Sequence, residues 1–110
     1  MPSTHPKFSI LITTKNRRLD LVYTLNKISP LLNRADVECI VCDDGSDDGT
    51  YDVIHQQFPK IQLRRNPKSK GLIYSRNRLL NLTKAQFAIS LDDDAHFLSE
   101  QPLEKIEEFF

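Results

Sequence analysis

The chain has 110 residues, of which 39% are hydrophobic and 27% are charged, as in ordinary globular domains. Fifteen basic and fifteen acidic residues cancel, so net charge gives no reason to expect nucleic acid or a membrane surface as a partner. No apolar run reaches the roughly 20 residues that cross a bilayer, and the first residues lack the apolar stretch of a signal peptide. We therefore expect a single domain over residues 1–110, without a transmembrane segment and in the cytoplasm.

The hydrophobic pattern predicts strands and helices that alternate along the chain. The strands are expected at residues 8–13, 37–42, 61–64 and 86–91, which are short and partly β-branched or aromatic. The helices are expected at residues 19–32, from residues 46–48 to about 58, at residues 72–80 and from about residue 102. This order is typical of a parallel sheet covered on both faces by helices. We predict an α/β, Rossmann-like three-layer sandwich with strand order 3-2-1-4.

Three consecutive carboxylates, Asp92 to Asp94, follow the last predicted strand. Because successive side chains of a strand point to opposite faces, Asp92 and Asp94 share one side and Asp93 faces the other. Two carboxylates about 4 Å apart repel by roughly 4 kcal/mol near a protein surface, so their proximity favours a bound cation. Oxygen ligands suit Mg²⁺ and Mn²⁺. The pattern predicts a metal site at Asp92 and Asp94, the alternative being a solvated acidic turn.

Polar residues also follow the first two strands, Thr13 and Thr14 after the first and Asp43 and Asp44 after the second. The carboxyl ends of parallel strands meet at one edge, and order 3-2-1-4 brings Thr13 beside Asp92 at the switch point, where such sheets bind ligands. Basic residues lie before the predicted third helix and in its first turns. They either contact phosphate groups of a ligand or belong to a solvated loop. These residues are Arg64, Arg65, Lys68, Lys70, Arg76 and Arg78. Carboxylates at the sheet edge together with these nearby basic residues favour a metal-diphosphate ligand.

Residues 44–49 fit the start of a calcium-binding loop, but His55 occupies the twelfth position, where a bidentate Glu is required. A tight turn followed by a helix start capped by Ser46 or Asp47 is the better interpretation. It leaves Asp43 and Asp44 free to bind a ligand.

Cys39 and Cys42 have the C-x-x-C spacing of redox pairs and half zinc sites. Three positions apart on a strand, however, the two side chains face opposite sides of the sheet. There is no second cysteine pair to complete a zinc site, so we expect buried, unreactive cysteines.

Over residues 8–97 the chain resembles the family-2-like glycosyltransferases of the GT-A fold. Four segments match in the family's order: residues 9–17 (SILITTKNR), 41–50 (VCDDGSDDGT), 71–77 (GLIYSRN) and 92–94 (DDD). The second is very similar to the family's most recognisable signature. Each motif is weak alone, but the four together are specific.

The resemblance implies roles for particular residues. It implies that Asp44 hydrogen-bonds the nucleobase, most often uracil, and that Arg76 belongs to the Arg-Asn pair of the third-helix motif. It also implies that Asp94 ligates a Mn²⁺ or Mg²⁺ ion that bridges the diphosphate. Nucleotide contacts are expected at Thr13, Thr14, Asn16, Arg17, Asp43, Asp44, Arg76, Asp92 and Asp93, and metal contacts at Asp92 and Asp94.

The resemblance therefore implies the N-terminal, nucleotide-sugar-binding part of an enzyme. Such a glycosyltransferase moves a sugar from a nucleotide-diphosphate donor, here expected to be a UDP-sugar, to a hydroxyl group of a glycan, lipid or protein acceptor. In the family the acceptor half and the catalytic carboxylate follow the D-x-D strand, so we expect a truncated enzyme and assign no catalytic base. One alternative is a sugar-phosphate nucleotidyltransferase, which needs a Gly-rich phosphate loop that residues 13–18 lack. The other is a non-catalytic module that binds a nucleotide or a cation.

Overall fold

The computed structural model describes residues 6–91 and residue 93. All four predicted strands are present, with bounds that differ by at most one residue from those predicted. The helix predicted from about residue 102 lies outside the described residues. In chain order the elements are β1 (Phe8–Thr14), α1 (Arg18–Lys27), α2 (Ser29–Leu32), β2 (Val37–Asp43), α3 (Thr50–Gln57), β3 (Gln62–Arg65), α4 (Leu72–Leu82) and β4 (Phe87–Leu91).

The four strands form a parallel sheet in the order β3-β2-β1-β4, which confirms the predicted topology. In its register Ile12 pairs with Val41 on one side and with Leu91 on the other. Thr14, the last residue of β1, pairs with Asp43, the last residue of β2. β1, β2 and β3 therefore end level with one another and β4 ends two residues earlier, so the polar residues at these ends share one edge.

Each face of the sheet is covered by helices, which gives the predicted three layers and an α/β, Rossmann-like fold. This double coverage explains why the two central, mostly buried strands, β1 and β2, are largely apolar. Under α1 and α3 the core contains Ile10, Ile12, Leu21, Leu25, Ile28, Cys39, Val41, Ile54 and Ile61. Under α4 it contains Leu11, Ile40, Cys42 and Leu79.

The two cysteines lie on opposite faces of the sheet and are free thiols, as predicted. Burial raises the pKa of the Cys39 thiol to about 12. Burial also raises the pKa of the Cys42 thiol. Because the thiolate is the reactive form, both residues serve as small core side chains.

The single helix predicted at residues 19–32 is wrong, because α1 ends at Lys27 and a separate turn, α2, follows. Pro30 near the start of α2 has no N–H to donate, and its ring would meet the carbonyl group one turn earlier. The junction is Ile28, at φ −94° and ψ 6°.

The second predicted helix starts later than expected, at Thr50, and a cap at Ser46 or Asp47 is wrong. Oδ1 of Asp48 accepts hydrogen bonds from both the backbone N–H, at 3.1 Å, and the hydroxyl group of Thr50. Gly49, at φ +83°, supplies the left-handed turn into the helix. Across residues 6–91, no helix is both long and apolar enough to cross a bilayer.

Candidate functional site

The carboxyl edge of the sheet forms one side of a cleft of about 510 Å³. Its walls come from the β1–α1 loop, the end of β2, the β3–α4 loop and the start of α4. β1 pairs with β2 on one side and β4 on the other, so the cleft lies at the switch point of the sheet. The lining residues are Thr13, Thr14, Lys15, Arg17, Asp44, Ser69, Gly71, Leu72, Ser75 and Asp93.

The structure brings together five of the residues predicted to contact nucleotide, namely Thr13, Thr14, Arg17, Asp44 and Asp93. Three other described residues of that prediction, Asn16, Asp43 and Arg76, do not line the cleft. The ninth, Asp92, lies outside the described residues, as does Asp94, which was predicted to bind only the metal. Contact of any of these residues with a nucleotide stays a prediction.

Asp44 is buried at the end of β2, and the expectation that its carboxylate is free is wrong. Oδ1 accepts hydrogen bonds from Asn66 Nδ2 at 2.8 Å and from the Lys70 N–H at 2.7 Å. Oδ2 accepts from Ser69 Oγ at 2.8 Å and from the Gly71 N–H at 3.0 Å. Burial raises the pKa of this carboxyl, but the four hydrogen bonds outweigh it and hold the pKa well below its ordinary value. Asp44 is therefore ionised at neutral pH.

The β3–α4 loop, residues 66–71, is also fixed through Asn66. This side chain is 3% exposed. Its Nδ2 donates to Ser75 Oγ at 2.9 Å, and its Oδ1 accepts from Arg78 at 2.8 Å. The backbone N–H of Asn66 bonds the carbonyl oxygen of Asp43 at 2.9 Å. The loop is thus tied both to the end of β2 and to α4.

Asp93 contacts β1, the β1–α1 loop and α1. The prediction that it faces away from the other two carboxylates of the triplet concerns residues outside the described part of the chain. Oδ2 of Asp93 accepts a hydrogen bond from Thr14 Oγ at 3.0 Å, and its Oδ1 lies 3.3 Å from Arg17 Nε. Its backbone oxygen accepts from the hydroxyl group of Thr24, a buried residue of α1, at 2.9 Å. Asp93 therefore joins the end of β4 to β1 and to the β1–α1 loop.

Asn16 connects two loops instead of lining the cleft. Its N–H donates to Ser46 Oγ at 2.8 Å, and its side-chain oxygen accepts from the Asp47 N–H at 2.8 Å. Its φ of +53° is in the left-handed region, which asparagine tolerates better than most residues. Nearby, the Arg18 N–H donates to Asp48 Oδ2 at 3.2 Å. The β1–α1 and β2–α3 loops are joined by these bonds.

The expectation that Asp43 offers a free carboxylate to the cleft is also wrong. The residue is fully buried, and its Oδ1 accepts from the Ser46 N–H at 3.0 Å. Its Oδ2 has no hydrogen-bond partner among the described residues. Asp43 thus shapes the turn after β2.

Arg76, also predicted to contact nucleotide, is exposed on α4, whereas Arg78 of the same helix donates a hydrogen bond to Asn66.

The metal prediction depends on two residues outside the described part of the chain, Asp92 and Asp94. Within residues 6–91 and 93, there is no group of three or more His, Cys, Asp or Glu side chains that could hold an ion. The oxygens of Asp93 already contact Thr14 and Arg17. The carboxylates of Asp92 and Asp94 are of the kind that Mg²⁺ and Mn²⁺ prefer, and binding of a cation by these two residues stays a prediction.

Several residues of the site were not predicted from the sequence, above all Ser69, Asn66 and Thr24. The first two lie in the run N-P-K-S-K-G between a strand and a helix, which is rich in turn residues. This composition indicates a structured loop, and it is the feature of the sequence from which Asn66 and Ser69 could have been predicted. Nothing in the pattern of α1 marks Thr24, because a threonine on the buried face of a helix looks like an ordinary core residue.

Comparison with known proteins identifies the family. The family model described as "Glycosyl transferase family 2" matches residues 9–110. The chain is 29% identical over 92 residues to the Escherichia coli UDP-Glc:alpha-D-GlcNAc-diphosphoundecaprenol beta-1,3-glucosyltransferase WfaP, and the match covers 83% of this chain and 36% of that protein.

Solved structures show the same fold. S. aureus TarS, residues 1–349 in complex with UDP, has a TM-score of 0.81 at 22% identity, covering 94% of this chain and 31% of that one. The mannosyltransferase PcManGT from Pyrobaculum calidifontis, in complex with GDP-Man and Mn²⁺, has a TM-score of 0.77 at 20% identity, covering 92% and 31%. The chain thus spans about a third of the length of these relatives. By its sequence and by its sheet, the chain belongs to glycosyl transferase family 2 and has the GT-A fold.

Proposed function

We propose that this chain is the donor-binding part of a glycosyltransferase that moves a sugar from a UDP-sugar to a hydroxyl group of a glycan, lipid or protein. The observation that carries the proposal is the cleft at the switch point, where Arg17, Asp44 and Asp93 converge with two threonine side chains. Membership of family 2 supports sugar transfer over the alternative of a sugar-phosphate nucleotidyltransferase. WfaP and the UDP complex of TarS support uridine as the nucleoside.

Thr13, Thr14 and Arg17 are proposed to contact the nucleotide from the end of β1. The hydroxyl groups suit ribose or phosphate oxygens, and a guanidinium group suits a phosphate. Lys15, on the same loop, adds a second positive charge to the lining of the cleft. Asp44 and Asp93 would shape the cleft around the ligand from the ends of β2 and β4.

The proposal includes a divalent cation, Mn²⁺ or Mg²⁺, held by Asp92 and Asp94. The complex of PcManGT with GDP-Man and Mn²⁺ supports it. A cation here would offset the repulsion between the acidic triplet and a diphosphate, and it would stabilise negative charge on the departing nucleoside diphosphate.

Thermal melting of this chain with UDP tests the proposal. With Mn²⁺ present, UDP should raise the melting temperature through ligand linkage, and EDTA or Asp94→Asn should remove most of that gain. Asp52→Asn, which changes the same charge on the exposed face of α3, should keep it. An equal gain with Mn²⁺ and with EDTA would refute the metal role, and no gain in either condition would refute nucleotide binding. In the longer enzyme, UDP binding without sugar transfer would instead favour the non-catalytic module.

A further inference from the structure

Thr24 lies in α1, outside the lining of the cleft, yet its hydroxyl group donates a hydrogen bond to the backbone oxygen of Asp93 at 2.9 Å. We propose that Thr24 is a positioning residue, which holds the chain beyond β4 so that the carboxylate of Asp93 faces Thr14 and Arg17 in the nucleotide site. The role of Thr24 in nucleotide binding rests on the function proposed above, whereas its anchoring of Asp93 does not.

Asp93 lies just beyond the part of β4 that pairs with the sheet. β4 is the last strand in the order β3-β2-β1-β4, and it pairs with β1 as far as Leu91, which is opposite Ile12. Asp93 comes two residues later, level with Thr14, where the ladder of paired residues has ended. The position of Asp93 therefore depends on contacts with other elements and not on strand pairing.

Thr24 is well placed to supply such a contact. It is 1% exposed, and it lies between Leu21 and Leu25, two fully buried core residues of α1. The β-branched side chain of threonine has few χ1 rotamers on a helix, so the position of the hydroxyl group is well defined. Threonine hydroxyl groups on helices commonly bond a carbonyl group of the preceding turn. The hydroxyl group of Thr24 instead bonds Asp93, 69 positions away in the chain.

The contact positions a charged group of the cleft. Asp93 is 7% exposed, and its Oδ2 accepts a hydrogen bond from Thr14 Oγ at 3.0 Å. Its Oδ1 lies 3.3 Å from Arg17 Nε. Asp93, Thr14 and Arg17 all line the cleft. Thr24 thus acts on the candidate site through the backbone of Asp93.

Arg17 is the group through which a displacement of Asp93 should affect a ligand. Its guanidinium group contacts Asp93 in the cleft and, at 3.1 Å, exposed Asp20, which lies outside the lining of the cleft. If Asp93 moves away from β1, the ion pair with Asp20 is favoured, and the positive charge proposed to contact a phosphate shifts out of the cleft. We therefore expect loss of the Thr24 hydroxyl group to weaken UDP binding.

Two substitutions of Thr24 separate this role from a purely structural one. Thr24→Val keeps the branched shape and loses the hydroxyl group, whereas Thr24→Ser keeps the hydroxyl group and loses a buried methyl group. Both should lower the melting temperature, because one removes a buried hydrogen bond and the other leaves a small cavity. A residue that acts on stability alone would give folded variants with unchanged affinity for UDP. A positioning residue would lose affinity in Thr24→Val and keep it in Thr24→Ser.

Amide hydrogen exchange measured by NMR tests the anchoring without a ligand. The N–H of Phe87 donates to the carbonyl oxygen of Lys7 at 2.9 Å. Because the direction of N–H groups alternates along a strand, the N–H of Leu91 also faces β1. Thr24→Val should speed exchange at Leu91 at least about tenfold, and at Phe87 less, because local opening begins at the end that Thr24 no longer holds. Thr24→Ser should keep the ratio of the two rates within about threefold of its value in the unmodified chain.

Calorimetric titration of UDP in the presence of Mn²⁺ tests the effect on binding, at a temperature at which circular dichroism shows every variant to be folded. We expect Thr24→Val to weaken UDP binding at least about tenfold and Thr24→Ser to change it by less than about threefold. Thr83→Val is the matched control and should leave UDP affinity and Leu91 exchange unchanged. The hydroxyl group of Thr83 donates to Glu38 Oε1 at 2.8 Å, near the start of β2 and so at the opposite end of the sheet from the cleft.

Three results would each overturn the proposal: full UDP affinity in Thr24→Val, equal losses of affinity in the valine and serine variants, or an unchanged ratio of Leu91 to Phe87 exchange in Thr24→Val. If Thr24→Val does not fold, Thr24→Ala takes its place, because alanine and serine differ by the hydroxyl group alone. If the unmodified chain does not bind UDP, the proposed function fails and the binding role of Thr24 fails with it. The exchange ratio then still confirms or refutes the anchoring of Asp93.

Discussion

Two loops line the cleft, and they are held in different ways. The β3–α4 loop, residues 66–71, depends on one buried carboxylate, Asp44, which accepts four of its hydrogen bonds. The β1–α1 loop, residues 15–17, depends on separate bonds made by different residues, such as those of Asn16 to Ser46 and of Arg17 to Asp93. The shared acceptor of the first set, Asp44, is buried, whereas Asn16 and Arg17 in the second loop are exposed.

This difference predicts different responses to substitution. Hydrogen bonds to a buried charge are stronger than neutral ones, and removal of their common acceptor leaves several donors without a partner. Bonds spread over several exposed side chains are weaker, and each can fail without the others. A single substitution should therefore release the β3–α4 loop, whereas the β1–α1 loop should tolerate the loss of any one bond.

The largest effect is expected from Asp44→Asn. Asparagine has one acceptor oxygen, and its amide group would face at least one loop N–H that then lacks a partner. We expect the free energy of unfolding to fall by about 2 to 3 kcal/mol. Urea denaturation followed by circular dichroism measures this, with Asp52→Asn as the charge-matched control. A loss below 0.5 kcal/mol, of the order of an exposed ion pair, would remove the contrast between the loops.

The same carboxylate should make stability depend on pH. The pKa of Asp44 is lowered in the folded protein despite its burial, because four hydrogen bonds favour the charged form. The folded state then binds fewer protons than the unfolded state near the unfolded value of about 3.9. The resulting stability is present above that pH and is lost as pH falls below it toward the folded pKa. Denaturation between pH 5 and pH 3 should show a shallower slope for Asp44→Asn than for the unmodified chain, and equal slopes would contradict this.

A smaller effect is expected from Asp93→Asn, for which Arg17 offers an internal control. Arg17 contacts buried Asp93 at 3.3 Å and exposed Asp20 at 3.1 Å. Asp93→Asn should lower the free energy of unfolding by about 1 to 2 kcal/mol, because a buried carboxylate that accepts from Thr14 is lost. Asp20→Asn should change it by about 0.5 kcal/mol or less. Similar losses in the two variants would show that burial does not set the strength of these contacts.

An effect close in size to that of Asp93→Asn is expected at Asn16, where substitution with alanine and with glycine separates two contributions. Asn16→Ala loses a side-chain hydrogen bond and places a Cβ residue at φ +53°, which together should cost about 1 to 2 kcal/mol. Asn16→Gly loses the same bond but adopts this conformation easily, so it should cost less. Chemical denaturation of the pair measures the difference. If glycine costs as much as alanine, backbone strain at residue 16 is negligible.

Sequence reasoning placed the candidate site at the edge of the sheet where the cleft lies, but it could not assign the contacts of its residues. The sequence predicts that Asp43 and Asp44 are both free, because the turn and helix start that follow them were assigned to Gly45 and to Ser46 or Asp47. In the structure Asp43 accepts a hydrogen bond in the turn that contains Ser46, and Asp44 binds the loop that contains Ser69. A motif gives the identity and position of a carboxylate, whereas the number of donors around it depends on segments elsewhere in the chain.

Local information in the sequence was enough to predict the strands, their parallel order and the edge of the sheet that holds the cleft. This is because hydrophobic periodicity and the alternation of strands and helices are properties of neighbouring residues. Only the tertiary structure decided which polar groups remain available to a ligand. The donors to Asp44 lie 22 to 27 positions away, and Thr14 meets Asp93 across 79 positions. These partners come into contact only when the sheet has formed, so they cannot be predicted from the pattern of neighbouring residues.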